Sequence, residues 1–276
     1  MQVSVRAALD YAVAAPSSFV FNIAAAWTAR QNVLQETLHI EPDGMKAVEA
    51  PAAHGDNRLL RVEAPPGDCR IVYEALVELS PQIARAGELL QTPFSQLPDD
   101  VLTYLNPSRY CPSDTMARWA LREFGATAED GGRVEAICDW IGGRMEYLPG
   151  STDARTDAVA ALVQCAGVCR DYAHIGIAFC RAMGIPARYV SGYAVDLDPP
   201  DFHGFFEAYL GDGWYLFDAT KMAPRERFVR IGFGRDAADC AFATIVGAAQ
   251  LTAMEVSARY EGGDERGGDD AAISTA

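Results

Sequence analysis

The hydrophobic pattern of this chain changes its period near Pro81, and this change limits the possible folds more than any other feature. From residue 2 to about 80, apolar and polar residues alternate in five or six short segments, as in half-buried strands. Turn sequences such as EPDG (41–44) and PPGD (65–68) separate these segments. Beyond Pro81 the apolar residues recur with a period of about 3.6, as in amphipathic helices. The sequence therefore predicts a small β-sandwich-like domain, followed by a region that opens with helices.

The second region continues from helices into strands. Its four predicted helices span residues 113–125, 133–147, 154–165 and 169–183. Its predicted strands are ARYVSGYAV (187–195), HGFFEAYL (203–210) and WYLFDAT (214–220), with later strands in RFVRIGFG (227–234) and LTAMEVSARY (251–260). This order predicts an α+β fold in which helices pack on an antiparallel sheet.

These patterns divide the chain into three parts. Residues 1–82 are predicted to form the β-rich N-terminal domain, and residues 83–260 the α+β core. The tail, 261–276, reads EGGDERGGDDAAISTA, which is acidic, rich in glycine and nearly free of large apolar groups. Because such a segment buries too little apolar surface to offset the entropy lost on ordering, we expect it to be disordered.

Charge and cysteine content exclude several classes of protein. The net charge is −15 and only two of the 23 basic residues are lysines, which argues against nucleic acid as a partner because phosphate-binding surfaces need clustered positive charge. The seven cysteines are odd in number and show no close-set framework, so we expect reduced thiols. The N-terminus lacks a signal sequence and no stretch is long and apolar enough to span a bilayer. A cytoplasmic protein without a membrane partner is predicted.

One cysteine lies where a helix is predicted to begin. In GVCRDYAHIGIAFC (167–180), Cys169 extends an apolar stripe that includes Tyr172, Ile175 and Phe179. It is therefore expected in the first helical turn, where unpaired N–H groups and the helix dipole favour a negative charge. Because the thiolate is the nucleophilic form of cysteine, Cys169 is a candidate nucleophile. The alternative is a small core residue, which is the interpretation given to Cys69, Cys111, Cys138, Cys180 and Cys240.

A zinc site is a further alternative for this segment. Cys165, Cys169, His174 and Cys180 follow the spacing C-x3-C-x4-H-x5-C. Zinc ligands with such spacing lie on a tight loop, whereas residues 175–183 form a continuous apolar helical pattern. On one helix, His174 lies about 140° around the axis from Cys169. The zinc hypothesis is therefore the less favoured one, and no metal or cofactor is expected.

The same helical geometry prevents His174 from acting as a base for Cys169, because the two side chains lie on different faces. Three other histidines remain in the sequence. His39 and His54 fall in the β-rich N-terminal domain, whereas His203 lies at the start of a predicted strand, 34 residues after Cys169. His203 is the best candidate for the base. Its imidazole requires a hydrogen-bond acceptor that fixes its tautomer.

The hairpin between the strands at 203–210 and 214–220 decides whether Asp218 can be that acceptor. If Gly211 and Asp212 form the turn, Asp218 opposes Phe205 and becomes the same-face diagonal neighbour of His203. If the turn lies one residue later, Asp218 opposes position 207 and is too distant. We expect the first register, or a bulge with the same effect. The rival acid at position 207 lies four residues along the strand, about 13 Å from His203.

The motifs that contain these residues resemble those of one family. GVCRDYAH, GIPARYVSGY, H-x-F-x-E-x-Y and W-x-x-F-D-A-T resemble the transglutaminase-like superfamily, in particular bacterial members described as cysteine proteases. The resemblance covers nearly the whole chain up to about residue 260. It implies a papain-like α+β core after a β-rich module, with Cys169, His203 and Asp218 as the catalytic triad. Members often carry tryptophan at the position of Phe205 and proline at that of Ala219, which affects the cleft lining and not the triad.

The chemistry that this resemblance implies is acyl transfer by a thiolate. Cys169 would attack an amide carbonyl, form a thioester and release the acyl group to water or to an amine, with backbone N–H groups at the helix start as oxyanion donors. Transfer to water, as in a cysteine protease or amidase acting on a protein or peptide substrate, is the favoured function. A cross-linking transglutaminase and a non-catalytic binding module are the alternatives. Arg170 follows the nucleophile where animal relatives carry tryptophan, and calcium dependence is not implied.

Overall fold

The structure is a computed structural model that describes residues 1–51, 57–262 and 271–276. The helices in these ranges are α1 (Ser113–Phe124), α2 (Gly131–Gly142), α3 (Ala158–Gln164) and α4 (Cys169–Ala182). The strands are β1 (Gln2–Val13), β2 (Ser17–Phe21), β3 (Gln31–Glu41), β4 (Ala47–Pro51), β5 (Arg58–Ala64), β6 (Gly67–Leu79), β7 (Gln82–Arg85), β8 (Glu146–Tyr147), β9 (Ala166–Gly167), β10 (Ala187–Ala194), β11 (Phe202–Leu210), β12 (Gly213–Phe217), β13 (Phe228–Gly234), β14 (Ala243–Val246), β15 (Ala249–Tyr260) and β16 (Ala271–Ser274).

Two antiparallel four-stranded sheets form the N-terminal domain. Their strand orders are β15-β1-β6-β3 and β14-β2-β5-β4. The alternating pattern of each strand places one set of side chains inside, and both sheets contribute to a single core. Examples are Val5, Ile71 and Val77 from the first sheet and Phe19 and Val62 from the second. The predicted β-sandwich-like domain is present, and its inner faces pack as the alternation requires.

The sandwich includes strands from much later in the chain. β15 pairs with β1, and β14 pairs with β2, so residues 243–260 belong to this domain and not to the core region 83–260 in which the sequence placed them. The error has a physical cause. Alternation identifies a strand and its buried face, but it does not identify the partner strand. In the pairing of β1 with β15, Val3 lies opposite Tyr260, which is far away in the sequence.

The core region is built on a six-stranded sheet with the order β13-β10-β11-β12-β16-β7. Helix α4 packs against β10 and β11, and α1, α2 and α3 surround it. The apolar residues of α4 are buried, among them Ile175, Ile177 and Phe179. Gly176 permits the close approach to the sheet, because a Cβ atom there would lie 2.5 Å from the ring of Phe206. The helix that begins at Cys169 is thus held in the centre of the domain.

Two predicted segments differ from the structure. The helix expected over 133–147 ends at Gly142, since the pair Gly142–Gly143 favours a helix end, and residues 146–147 form β8 instead. The tail expected to be disordered over 261–276 contains β16, which lies between β12 and β7. Ile273 and Thr275 are each 2% exposed. A four-residue strand has too weak a pattern to stand out in an acidic sequence, and it is stabilised here by backbone groups of two neighbouring strands. Residues 263–270 of that tail lie outside the described ranges.

Within those ranges, every helix falls short of the length and apolar character that a membrane span requires.

Candidate active site

Cys169 is the first residue of α4, and its side chain is partly exposed. The helix start is fixed by a buried acid. Asp171, 1% exposed, accepts a hydrogen bond from the Val168 N–H at 2.9 Å and one from the Thr152 hydroxyl at 2.6 Å. Asp171 therefore caps the helix, and Cys169 sits at its N-terminal end, where the partial positive charge of the helix stabilises an anion.

The hairpin of β11 and β12 has the predicted register. Phe206 pairs with Phe217 and Leu210 with Gly213, so residues 211 and 212 form the turn and position 218 falls opposite position 205. As a result, His203 and Asp218 meet on one face. The His203 Nε2 atom lies 3.1 Å from Asp218 Oδ2, and their side chains are 0% and 3% exposed.

The electrostatics of His203 depend on both neighbours. Burial is the strongest influence on the imidazole and opposes its positive charge. Hydrogen bonds to Asp218 and Cys169, together with the negative charges of these two groups, outweigh burial and raise the pKa of His203 from 6.5 to about 10. The raised pKa therefore favours the imidazolium form of His203 at neutral pH.

The second ring nitrogen of His203, Nδ1, differs from Nε2 in its hydrogen bonding. Nδ1 is buried and, among the described residues, has no hydrogen-bond partner of full geometry, although Cys169 lies close enough to raise the pKa of the ring. Nε2 is taken by Asp218. Nδ1 is thus the atom through which the imidazole can exchange a proton with the sulfur or with a substrate.

Comparisons with known proteins show the family of this chain. Residues 118–219 match the Transglutaminase-like superfamily, and residues 1–100 match the N-terminal domain of bacterial transglutaminase. The crystal structure of a "Putative Cysteine Protease" from Cytophaga hutchinsonii is 39% identical, with a TM-score of 0.95 over 99% of this chain and 97% of that one. The chain belongs to the transglutaminase-like superfamily. An uncharacterized protein of Mycobacterium leprae is also similar, with 31% identity over 197 residues, which are 65% of this chain and 68% of the relative.

Tyr147 is a site residue that the sequence analysis missed in this transglutaminase-like chain. β8 and β9 pair in parallel, with Tyr147 opposite Gly167, which brings the tyrosine beside the start of α4. Its hydroxyl lies near the backbone N–H and the side chain of Cys169, and both affect its pKa. Burial first, and then a negative charge on Cys169, raise the pKa of Tyr147. The signal for it in the sequence was the pair Gly142–Gly143. This pair should have ended the predicted helix before Tyr147.

The zinc hypothesis finds no support in the transglutaminase-like fold. Among the described residues, no group of three or more His, Cys, Asp or Glu side chains could hold a metal ion. His174 is fully buried, and its Nε2 accepts a hydrogen bond from the Ala237 N–H at 3.1 Å. Burial lowers the pKa of His174 to about 3. The imidazole is therefore a neutral core group that stacks on Tyr110, and it does not face Cys169.

The other residues considered from sequence lie elsewhere. Glu207 binds Arg188 at 2.7 Å and also Arg230, and both side-chain pairs are buried, so it does not compete with Asp218 for His203. His39 lies exposed on β3, and His54 lies outside the described residues. The structural cysteines are buried, and burial raises the pKa of each thiol, which keeps it protonated: Cys69, Cys111, Cys138, Cys180 and Cys240.

Proposed function

We propose that this protein transfers acyl groups from amide or peptide bonds through Cys169, His203 and Asp218, and that water is the usual acceptor. The proposal makes the chain a cysteine peptidase or amidase of the transglutaminase-like superfamily. The observation that carries it is the buried His203–Asp218 pair, 3.1 Å apart, next to a cysteine at the start of a helix. A cysteine, a histidine and an orienting acid are the parts that nucleophilic catalysis requires.

The reaction follows from this arrangement. The Cys169 thiolate attacks the amide carbonyl carbon, and the carbonyl π electrons move onto oxygen. When the C–N bond breaks, the His203 imidazolium gives its proton to the departing amine, and a thioester remains on Cys169. Water then attacks the thioester while His203 accepts a proton from it. The C–S bond breaks, the carboxylic acid leaves, and the thiolate with its imidazolium is restored.

The start of α4 supplies the charge stabilisation for this reaction. The Cys169 N–H belongs to the first residue of the helix, where backbone N–H groups lack a carbonyl partner four residues earlier in the helix, so it is suited to bind the oxyanion. In the structure, the Tyr147 hydroxyl lies near the Cys169 N–H and is influenced by it. That hydroxyl oxygen thus marks a place where a carbonyl oxygen of substrate would find a donor. In the proposed mechanism, the substrate carbonyl takes this N–H, and the tyrosine hydroxyl turns to donate to the oxyanion as well.

The first experiment tests the nucleophile. Cys169 should react with iodoacetamide near neutral pH faster than free cysteine, and with p-nitrophenyl acetate it should form a transient acetyl-thioester that is detected by mass spectrometry after acid quenching. Cys169→Ala should abolish the adduct, whereas Cys165→Ala, which removes an exposed thiol four residues away, should leave it unchanged. An unreactive Cys169, or full turnover by Cys169→Ala, would contradict the proposed function and favour a non-catalytic binding module on the same fold.

A second experiment separates water from an amine as the acceptor. Wild type and Cys169→Ala are incubated with a proteome digest and a fluorescent primary amine, and new peptide termini and amine-labelled peptides are counted by mass spectrometry. Cysteine-dependent new termini support hydrolysis. Cysteine-dependent labelling in excess of new termini would instead make the protein a cross-linking transglutaminase.

A protein or peptide substrate and a cytoplasmic location are part of the proposal. The substrate class rests on the chemistry of the site, and the location rests on the seven free thiols, which are typical of a reducing compartment. Fractionation of cells that produce the untagged full-length protein, probed with an antibody, would test the location, and recovery in an extracytoplasmic fraction would overturn it.

A further inference from the structure

The chain folds back on Asp218 directly after β12. The backbone N–H of Thr220 donates to Asp218 Oδ1 at 2.8 Å. The Thr220 hydroxyl oxygen also lies 2.7 Å from Oδ1 and 2.9 Å from Oδ2 of the same carboxylate. Asp218 therefore has a backbone donor and a side-chain donor from one residue, in addition to His203.

The orientation of the Thr220 hydroxyl is itself fixed. The Met222 N–H donates to Thr220 Oγ1 at 3.3 Å, which occupies a lone pair of that oxygen. A hydroxyl carries one proton, and with one lone pair taken, the proton is directed toward the Asp218 carboxylate. Thr220 Oγ1 also lies 3.4 Å from His203 Nε2. The hydroxyl thus touches both members of the pair.

Asp218 needs such support because of its place in the hairpin. β12 ends at Phe217, the last residue of that strand to pair with β11, so Asp218 lies just beyond the paired part of the hairpin. The last torsion of an aspartate side chain is broad and has no sharply preferred angle. Without donors on both oxygens, the carboxylate could turn so that Oδ2 no longer faces the imidazole.

We propose that Thr220 is a positioning residue whose hydroxyl holds the Asp218 carboxylate with Oδ2 directed at His203 Nε2. The inference deepens the proposed function and rests on it for its catalytic consequence. It assigns a separate role to the threonine of the F-D-A-T segment, whose side chain acts on the imidazole through Asp218 and has no contact with a substrate in this scheme.

The test compares two substitutions that treat the hydroxyl differently. Thr220→Val keeps the shape and the backbone N–H but removes the hydroxyl, whereas Thr220→Ser keeps the hydroxyl. Thr115→Val is the matched control, because the Thr115 hydroxyl donates to the Pro112 carbonyl on an exposed part of α1. Each full-length variant is titrated by NMR with labelled histidine, with His203 assigned by His203→Gln, and the acylation rate with p-nitrophenyl acetate is measured against pH.

Loss of the hydroxyl should weaken the Asp218–His203 bond, so that less of the effect of burial on the imidazolium is compensated. We expect Thr220→Val to increase the acid dissociation constant of His203 about tenfold and to slow acylation about tenfold, the scale of one hydrogen bond to a charged group. In Thr220→Ser and Thr115→Val, the acid dissociation constant of His203 and the acylation rate should both stay within about twofold of the wild-type values.

The outcomes separate the two proposals. The positioning role would be overturned if His203 titrates in Thr220→Val as it does in wild type, or if the only change in that variant is a lower unfolding temperature. It would also be overturned if Thr220→Ser were impaired as much as Thr220→Val. The NMR titration does not depend on turnover. If wild type forms no thioester but Thr220→Val still shifts His203, the proposed function fails and the positioning role stands.

Discussion

Strand β11 carries two buried charged clusters that differ in chemistry. His203 and Glu207 lie four residues apart on one face of the strand, and they are 1% and 0% exposed. Glu207 is held between the guanidinium groups of Arg188 and Arg230. His203 is paired with Asp218, and its Nδ1 is open toward Cys169.

The difference between the clusters explains why one is suited to chemistry and the other to structure. An arginine does not release its proton in a protein, so the cluster around Glu207 keeps fixed charges at neutral pH. Arg188 is further held between the rings of Trp214 and Phe233. The cluster around His203 contains a group that gains and loses a proton, and within the described part of the chain the Nδ1 atom of its ring has no hydrogen-bond partner. Equal burial on one strand therefore does not imply an equal role.

The largest expected effect is the loss of activity in Asp218→Asn. The amide keeps the shape of the carboxylate but does not stabilise an imidazolium, and the change should lower kcat by about 10⁴-fold, the scale found when the acid of such a triad is neutralised. The measurement is the steady-state rate on a peptide substrate identified by the proteome experiment. Circular dichroism should show an unchanged fold. A decrease in kcat of less than tenfold would mean that the His203 cluster is not specialised for chemistry in the way that separates it from the Glu207 cluster.

The next effect is on stability and concerns Glu207→Gln. This change leaves Arg188 and Arg230 as buried charges without a full counter-charge, and removal of one partner from a buried ion pair costs about 3–5 kcal/mol. Urea unfolding measures it. The matched control is Glu74→Gln, whose partner Arg6 is exposed with it on the sandwich, and which should cost about 0.2–1 kcal/mol. Equal losses in the two variants would show that the buried cluster has no special structural role.

The smallest expected effect is on the way in which the free energy of unfolding depends on pH. Because the pKa of His203 is raised from 6.5 to about 10, its protonated form stabilises the folded chain fully below pH 6.5, and this stabilisation is lost as the pH rises toward 10. For Glu207, burial raises the pKa, but the charges of Arg188 and Arg230 outweigh it and lower the pKa below 4.5. Its stabilisation is therefore present above pH 4.5 and is lost as the pH falls.

The unfolding free energy of wild type, His203→Gln and Glu207→Gln, measured from pH 4 to 10, would show this contrast. The difference between wild type and His203→Gln should shrink at alkaline pH, and the difference between wild type and Glu207→Gln should shrink at acid pH. Differences that stay constant over the whole range would contradict the assigned charge states.

Much of the candidate site could be inferred from local sequence. The stripe that includes Tyr172 and Ile175 fixed the face and the start of α4, because a helical period needs no information from distant residues. The length of the turn after Leu210 set which residues of β11 and β12 oppose one another, since a hairpin register follows from its turn. These two local rules reduced the hairpin to two registers, and the structure has the one that brings His203 and Asp218 together.

Other features depend on contacts between distant parts of the chain. Tyr147 reaches Cys169 because β8 pairs in parallel with β9, and no period in the sequence marks a two-residue strand. β15 joins the sandwich, and β16 enters the core sheet, because unpaired backbone edges there accept them. The alternating pattern of a strand does not identify the strand with which it pairs.

The amino-acid order alone thus settled the helix that presents Cys169, the presence of the hairpin that carries His203 and Asp218, and the α+β class, since each depends on residues within one element or one turn. The folded chain decided which sheet each late strand joins, which buried acid is locked by arginines, and which hydroxyls surround the cysteine and the aspartate. Those outcomes depend on burial and on donors and acceptors from segments far apart in sequence, and they exist only after the segments pack.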